Sequence, residues 1–324
     1  MSQWQLELKN AVTNYSELFK LLDFEGQVLS KQIIDQKFPL LVTRSFIKRM
    51  RHNDMNDPLL LQILPSLEET TIVNNYLDDP LKEKNFNIMS GLIHKYSGRV
   101  LILGSKSCAI NCRYCFRKHF PYNSNIASGI NLVNIINYIQ ADNSIEEVIL
   151  SGGDPLLAPN NYFKKLLDQL NLIKHVNTIR IHSRIPIVLP SRLEQEFIDI
   201  LLSYRFNIVL VTHSNHPNEI NQEVADAFKI LNNTRITLLN QSVLLKNIND
   251  NADVLANLSR KLFTIGVLPY YLHMLDKVNG AVHFEVALEH AKKIFSNLST
   301  KLPGYLLPRL AVEQSGAKSK TLIL

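Results

Sequence analysis

The chain of 324 residues has only three cysteines, Cys108, Cys112 and Cys115, which fall within eight consecutive positions. A disulfide framework needs cysteine pairs spread along the chain, so this clustering excludes the disulfide-stapled secreted class. No apolar run approaches the roughly 20 residues that a membrane-spanning helix requires. The N-terminal residues MSQWQLELKN also lack the basic and then apolar regions of a secretory signal, and we therefore expect a cytoplasmic protein.

Charge of one sign is not concentrated in any segment. The net charge is +6, but the lysines and arginines are scattered, and no basic run with interleaved aromatic residues is present. This distribution does not favour binding to nucleic acid. Hydrophobic residues make up 46% of the chain and charged residues 20%, which is typical of a globular protein with room for a barrel-sized domain.

From Arg99 onward, strand patterns alternate with helical patterns at a spacing of roughly 30 residues. The six strand candidates are RVLILG (99–104), EEVILSGGDP (146–155, a strand that runs into a glycine turn), TIRIHSR (178–184), NIVLVTHSN (207–215), RITLLNQS (235–242) and VLPYYLHMLD (267–276). Successive strand–helix units predict parallel strands with right-handed crossovers. We therefore expect an α/β fold, a partial TIM-like (β/α)6 barrel, with a doubly wound open sheet as the alternative that the pattern leaves open.

Residues 1–95 lack this alternation and show short helical patterns, at 5–24, 38–50 and 57–69, that proline and aspartate interrupt. We predict three parts: a helical N-terminal extension over 1–95, the partial barrel over 96–300 and a short C-terminal segment over 301–324. The oligomeric state stays open.

Polar residues follow most of the predicted strands. They are Ser151 to Asp154, His182 to Arg184, His213 to Asn218, Asn240 to Ser242, and Asp276. Because the carboxyl ends of parallel strands meet on one rim, we expect these side chains to surround a common site.

The cysteine cluster allows more than one interpretation. Structural zinc takes four ligands, and His119 is near enough in sequence to complete such a site. A thioredoxin-like pair would leave the third thiol unexplained. A [4Fe–4S] cluster normally has four thiolate ligands, so three thiolates would leave one iron open for a small chelating ligand.

The C-x3-C-x2-C spacing with Tyr114 before the last cysteine resembles the signature of the radical SAM superfamily. The resemblance implies that the three cysteines hold a [4Fe–4S] cluster whose open iron binds S-adenosylmethionine (SAM). The segment SGGDP resembles the glycine motif of that superfamily, which implies SAM contacts from Ser151, Gly152, Gly153 and Asp154.

Further segments resemble the lysine 2,3-aminomutase family over about residues 90–324. They are CRYCFRKHF, SGGDPL, RIHSRIPIVLP, THSNHPNE, LLNQSVLL, YYLHMLDKVNGAVHF and GAKSKT. The short chain is similar to the EpmB-type form, which acts for elongation factor P. Longer members that act on free lysine carry a C-terminal extension with further cysteines, so the resemblance implies that their extra zinc site is absent here.

The resemblance also implies pyridoxal 5′-phosphate (PLP) as a second cofactor. The family lysine that binds PLP lies seven residues after an acidic residue, which corresponds to Lys320 after Glu313, with Lys318 as the alternative. By position, Arg99 and Lys95 would face the PLP phosphate. Lysine cannot offer the bidentate fork of arginine, so Lys95 departs from the pattern of the longer members.

Substrate contacts are implied in the same way. Arg117 would pair with the α-carboxylate of the substrate, and Asp276 and Glu313 would hold its distal ammonium group. Glu313 stands where the free-lysine enzymes have aspartate. The SAM pocket would be lined by Gln241 and by either His213 or His216.

The implied reaction converts L-lysine to (R)-β-lysine, which a ligase-like partner would attach to a lysine of elongation factor P. One alternative is a radical SAM aminomutase that acts on free lysine for another pathway or on another amino acid such as glutamate. The acids Asp276 and Glu313 favour a substrate with two amino groups. The alternative from a different class is a structural or regulatory protein that holds zinc or a cluster without catalysis.

Overall fold

The computed structural model describes residues 1–24, 38–121 and 125–323. Within these ranges a single sheet of ten strands has neighbours in space that are also neighbours in sequence. The strands are β1 Asn87–Met89, β2 Leu92–Tyr96, β3 Arg99–Ser105, β4 Glu147–Gly152, β5 Thr178–Ser183, β6 Asn207–His213, β7 Thr237–Val243, β8 Leu268–His273, β9 Arg309–Val312 and β10 Thr321–Leu322.

Strands β3 to β9 are parallel to one another, whereas β1, β2 and β10 pair in antiparallel fashion at the two ends of the sheet. A doubly wound sheet would reverse its strand order at a switch point. The sequential order here contradicts that alternative and confirms the partial TIM-like barrel, which stays open between β1 and β10.

Each of strands β3 to β8 is followed by a helix, as the sequence predicts. The helices of the described residues are α1 Gln3–Lys9, α2 Tyr15–Leu21, α3 Arg44–Ile47, α4 Ile130–Ala141, α5 Asn160–Asn171, α6 Ile185–Val188, α7 Gln195–Leu202, α8 Gln222–Phe228, α9 Ala252–Thr264 and α10 Leu288–Ser299. Helix α5 shows why these segments pack on the sheet, since its buried residues Phe163, Leu166, Leu167 and Leu170 form one apolar face. No helix in these ranges has the length and apolarity needed to cross a bilayer.

The parallel part of the sheet has one strand more than the six predicted. Strand β9 pairs with β8, and β10 then folds back on β9. The segment 301–324 is therefore joined to the sheet by backbone hydrogen bonds. The run Arg309–Val312 is too short and too close to Pro308 to stand out in the sequence as a strand.

The N-terminal 95 residues differ from the helical extension that we predicted. They contain α1 to α3, but their last part forms the strands β1 and β2. Ser97 and Gly98 form a tight connection between the paired residues Tyr96 and Arg99, and Gly98 has a φ of 77° that only glycine adopts readily. Residues 25–37 of the predicted extension lie outside the described residues, and the three-part division stays a prediction.

Side chains along each strand point alternately to the helix-covered face of the sheet and to the interior of the partial barrel. On β5, Ile179 and Ile181 are buried in the hydrophobic core, whereas Arg180 and His182 face the interior of the partial barrel. Because successive side chains of a strand point to opposite faces, the same strand supplies both core and site.

Candidate active site

A cavity of about 890 Å³ occupies the interior of the partial barrel. It extends from the first residues of β3 and β4 to the carboxyl ends of the parallel strands, and Phe38, Leu81 and Glu83 from the N-terminal part cover one side. Every site residue named from the sequence lines it: Lys95, Arg99, Cys108, Cys112, Cys115, Arg117, Ser151, Gly152, Gly153, Asp154, His213, Gln241, Asp276, Glu313 and Lys320. The structure thus brings together residues separated by more than 200 positions in the chain.

Two of the alternatives named from the sequence, Lys318 and His216, lie outside the cavity wall. Lys318 is exposed outside the cavity, which favours Lys320 as the lysine that faces a cofactor. His216 caps a short 3-10 helix, where its Nδ1 accepts a hydrogen bond from the Asn218 amide at 3.1 Å. His213 lies in the cavity wall, and its Nε2 is 3.0 Å from the Tyr114 hydroxyl.

The cysteine loop follows β3 and is held by the N-terminal part of the chain. The amide of Arg113 donates to the Gln62 carbonyl at 2.9 Å, and its buried guanidinium forms two hydrogen bonds to the Glu69 carboxylate at 2.7 and 2.6 Å. The amide of Asn111 donates to the Leu41 carbonyl at 2.9 Å. These contacts show one role of the N-terminal segment, which is to position the loop that carries the thiols.

The three thiols suit an iron–sulfur cluster better than a single metal ion. They are unpaired cysteines in the wall of one cavity, yet in the described ranges no three Cys, His, Asp or Glu side chains converge on one ion. Zinc needs four donors within about 2.0–2.3 Å, and the Nε2 of His119 instead lies 3.3 Å from the Asn279 carbonyl oxygen. In a four-iron cluster each thiolate binds a different iron, so separated thiols are suitable ligands.

Burial disfavours the charged thiolate form of these cysteines. Desolvation raises the pKa of Cys115 to about 11, and the neighbouring Cys112 acts in the same direction. A thiolate at this position therefore needs a cationic partner, which iron provides.

The glycine turn after β4 packs directly against the cysteine loop. A Cβ atom on Gly153 would lie 2.4 Å from the Ser107 carbonyl oxygen, and one on Gly152 would lie 2.7 Å from the Ser105 oxygen. The amides of Gly153 and Asp154 donate to these same two oxygens, each at 2.8 Å. Since these amides are already engaged, an amino group bound at the glycine turn would donate to the backbone carbonyl oxygens of the turn. Such acceptors fit the ammonium group of SAM.

Asp154 joins the ends of β4 and β5. Its carboxylate accepts hydrogen bonds from the Ser183 hydroxyl at 2.7 Å and from the amides of Leu156, Arg184 and Ile185 at 3.1, 2.7 and 3.2 Å. Burial raises the pKa of this carboxyl to about 6, although the four donors oppose the increase. The carboxylate is engaged by the protein itself, and its contact with SAM stays a prediction.

Lys320 lies at the opposite part of the cavity, in contact with Glu313. Its Nζ donates to Glu313 Oε2 at 2.9 Å, while Glu313 Oε1 accepts from Lys95 Nζ at 2.7 Å and from the Tyr96 hydroxyl. Burial by itself would raise the pKa of the Glu313 carboxyl. The charge of Lys320 and the three hydrogen bonds outweigh burial and lower this pKa to about 2.

Positive charge is concentrated near Lys320. The guanidinium of Arg99 lies over the Tyr96 ring at 4.8 Å, and Arg180 Nη2 donates to Glu147 at 2.8 Å. Together with Lys95, these side chains form a cationic wall that fits a phosphate group. The present partner of Lys95 is Glu313, so its contact with a phosphate stays a prediction.

Asp276 follows β8 and faces the cavity. Its carboxyl makes no hydrogen bond or ion pair to any residue that the structure describes. The surrounding protein raises the pKa of this carboxyl to about 7 by desolvation, and the positive charge of Lys320 only partly opposes the increase. An enclosed carboxyl of this kind is suited to a cationic ligand group, and the contact of Asp276 with a substrate stays a prediction.

Arg117 is held by a residue that the sequence did not identify. Its Nε and Nη2 donate to the two carboxylate oxygens of Glu83 at 2.8 and 2.7 Å, and Nη1 donates to the Ser151 hydroxyl at 3.0 Å. Glu83 lies in the weakly patterned N-terminal part, where nothing in the sequence separates it from a surface acid.

Two histidines of the cavity wall, His182 and His273, were given no individual role from the sequence, although His182 belongs to a polar strand end expected at the common site. Burial lowers the pKa of both His182 and His273 well below the usual value, with further lowering from Arg180 and Lys320 respectively. Both imidazoles are therefore neutral at physiological pH. The position of His182 at the end of a predicted strand was the only signal for it in the sequence.

The fold and this site define a radical SAM protein, and sequence comparison gives the same class. The Radical SAM superfamily profile matches residues 102–258, which contain the three cysteines and the glycine turn. That superfamily implies a [4Fe–4S] cluster and SAM as cofactors.

The comparison with characterised chains narrows the class. The chain is 45% identical to an L-lysine 2,3-aminomutase of Escherichia coli, over 98% of this chain and 93% of that one. It is 46% identical to the enzyme of that name from Buchnera aphidicola, over 99% and 95% of the two chains. With the longer enzyme of Clostridium subterminale it shares 32% identity over 100% of this chain and 78% of the other. The chain belongs to the lysine 2,3-aminomutase family, in its short form.

Proposed function

We propose that this protein is an L-lysine 2,3-aminomutase that uses SAM, a [4Fe–4S] cluster and PLP to convert L-lysine to (R)-β-lysine. One observation carries the proposal: a single cavity contains the three thiols at one part, Lys320 and a cationic wall at another, and the enclosed carboxyl of Asp276. A radical route for amino group transfer within one substrate needs a radical source, an amine-binding cofactor and a substrate site in one enclosed space.

The cofactors would supply the reactive chemistry when they are bound. When bound, the cluster and SAM would supply the radical needed to remove a hydrogen from the β-carbon of lysine, and PLP would supply a carrier for the migrating nitrogen. The ligands of the cluster would be Cys108, Cys112 and Cys115. Lys320 would bind PLP covalently, and Arg99 would face its phosphate.

The residues of this chain would hold the substrate by its two ends. Arg117 would bind the α-carboxylate, since Glu83 and Ser151 fix the direction of its guanidinium. Asp276, with Glu313, would bind the distal ammonium. Because glutamate would bring a negative charge to these two acids, the geometry supports a diamine-type amino acid as substrate.

The enclosure of the cavity would protect the reaction. A carbon-centred radical reacts with many C–H bonds, so the protein has to exclude water and admit only one bond to the radical. The covering residues Phe38, Leu81 and Glu83 come from the N-terminal part, which gives that part a role in the active site.

The substitution Lys320→Ala, with Lys318→Ala as its matched control, tests the assignment of the PLP lysine. We expect Lys320→Ala to lose the visible absorbance of lysine-bound PLP and the formation of β-lysine, measured by mass spectrometry with lysine, SAM and dithionite under anaerobic conditions. We expect Lys318→Ala to retain both. An unchanged pyridoxal spectrum in Lys320→Ala would show that another lysine holds the cofactor.

Metal and SAM assays separate this proposal from a non-catalytic protein that binds zinc or a cluster. We expect about four irons per chain after anaerobic reconstitution, and SAM cleavage that depends on reduction. One zinc per chain, or a cluster that never cleaves SAM, would contradict the enzyme assignment. Glutamate offered in place of lysine should give no β-amino acid.

The product would serve the modification of elongation factor P, as the resemblance to the EpmB-type form implies. A strain that lacks this protein should accumulate elongation factor P without β-lysine, and added (R)-β-lysine should restore the modification through the ligase. Normal modification in that strain without added product would favour the alternative, an aminomutase that supplies a different pathway.

A further inference from the structure

We propose that Arg184 sets the reduction potential of the iron–sulfur cluster through its contact with the Cys112 sulfur. The proposal rests on the cluster of the radical SAM superfamily and not on the identity of the amino acid substrate. Arg184 would be a positioning residue, since it acts on the cluster through a ligand.

Arg184 reaches the cysteine loop from the end of β5. Its side chain is buried. The guanidinium Nη1 donates to the Cys112 Sγ and to the Tyr114 hydroxyl oxygen, each at 2.6 Å. Its amide is fixed by the Asp154 carboxylate at 2.7 Å. The two residues of the contact, Arg184 and Cys112, are 72 positions apart, so the fold alone creates it.

The other side of the guanidinium is held by a buried polar network. Nη2 donates to the Gln62 side-chain oxygen at 2.6 Å and to Glu219 Oε2 at 3.2 Å, and both of these residues are fully buried. Glu219 is fixed in turn by the amides of Asn215 and His216, at 2.8 and 3.0 Å. With partners on both sides, the cation cannot turn away from the sulfur without breaking several buried hydrogen bonds.

A fixed cation beside one ligand changes the relative stability of the two oxidation states of a cluster. Reduction adds one electron, and hence one negative charge, to the iron–sulfur unit. A buried positive charge and a hydrogen bond to a ligating sulfur stabilise the more negative state, and so raise the reduction potential. Glu219 partly offsets this effect because its negative charge lies close to the same guanidinium.

Two substitutions of opposite sign test the proposal. Arg184→Gln removes the positive charge and should shift the midpoint potential to a more negative value. Glu219→Gln removes the negative charge that offsets it and should shift the potential to a less negative value. A useful threshold is a tenfold change in the ratio of reduced to oxidised cluster at fixed potential, which is about 59 mV for one electron.

The measurement is an anaerobic redox titration of the reconstituted, full-length protein with dithionite, in the absence of SAM and lysine, followed by electron paramagnetic resonance. Arg192→Gln is the matched control. Arg192 is a fully buried arginine that donates to the carbonyl oxygens of Leu156 and Ala158 and lies outside the cavity wall. Its substitution should leave the potential unchanged.

Opposite shifts in the two variants, with no shift in Arg192→Gln, would support the proposal. A potential in Arg184→Gln equal to that of the parent, or an equal shift in the control, would overturn it. If Arg184→Gln does not retain a cluster, Glu219→Gln decides: a less negative potential supports the proposal, and an unchanged or more negative potential refutes it.

Discussion

The substitution Asp276→Asn should increase the stability of the protein at neutral and alkaline pH while it weakens the binding of lysine. The carboxyl of Asp276 faces the cavity without a hydrogen-bond partner among the described residues, and desolvation raises its pKa from 3.8 to about 7. A carboxyl whose pKa is raised by folding stabilises the folded state in its protonated form. This contribution is fully present below the unfolded pKa and is lost as the pH rises through about 7.

The size of the effect follows from the shift. A displacement of about three pKa units at about 1.4 kcal/mol per unit gives an upper limit of about 4 kcal/mol above pH 7. The carboxyl is reached by water from the cavity, so the measured value should lie below this limit. Asparagine has nearly the same shape and does not ionise, and the variant should therefore keep above pH 7 the stability that the parent loses.

The assay compares the denaturant midpoints of parent and variant between pH 5 and pH 8.5, with cofactors bound and lysine absent. Because the unfolded carboxyl is already ionised at pH 5, the difference in unfolding free energy should be at most about 1.6 kcal/mol there, and it should grow with pH and level off above pH 7. In the presence of saturating lysine the parent should have the higher denaturant midpoint, because the variant lacks the buried charge partner of the lysine ammonium. The loss of such a partner costs about 2–5 kcal/mol of binding free energy, so KM for lysine should rise by at least thirtyfold in the variant. A pH-independent difference, or an unchanged KM, would refute the reasoning.

Three further predictions concern neighbouring contacts. Gly153→Ala places a methyl group 2.4 Å from the Ser107 oxygen, so the cysteine loop should shift at a cost of about 1–3 kcal/mol and the iron content after reconstitution should fall; a normal iron content would contradict the close packing. Glu83→Gln leaves the buried guanidinium of Arg117 without its carboxylate and should destabilise the protein by about 3 kcal/mol and raise KM for lysine, whereas the exposed Glu68→Gln should change neither. The kcat/KM for lysine should rise with pH through about 7, as Asp276 ionises, and Asp276→Asn should flatten that profile.

Much of the barrel could be predicted because its signals are local. Each strand–helix unit shows its own change of hydrophobic period, and the parallel arrangement follows from the order of the units. Strand β9 and the hairpin of β1 and β2 were missed because their runs are short. Such strands are stabilised by pairing with the sheet, and a single-sequence pattern contains little of that information.

The site could be predicted only where a motif has a fixed spacing. The cysteines and the glycine turn belong to continuous segments, and the positions of Lys320 and Glu313 followed from a resemblance over such segments. Glu83 has no comparable signal, and Arg184 was indicated only as one of the polar residues at a predicted strand end. Their roles depend on partners 34 and 72 positions away, which come within reach only when the N-terminal part and β5 pack around the cysteine loop.

The sequence by itself determined the three candidate cysteine ligands of the cluster and the order of the parallel strands, because both follow from patterns of neighbouring residues. The tertiary structure decided which charges face each other inside the cavity. It paired Arg117 with Glu83, placed Arg184 beside Cys112 and enclosed Asp276 without a partner among the described residues. Electrostatic interactions depend on the distance between the charges and on the exclusion of water from them. Both are fixed only when the chain has folded.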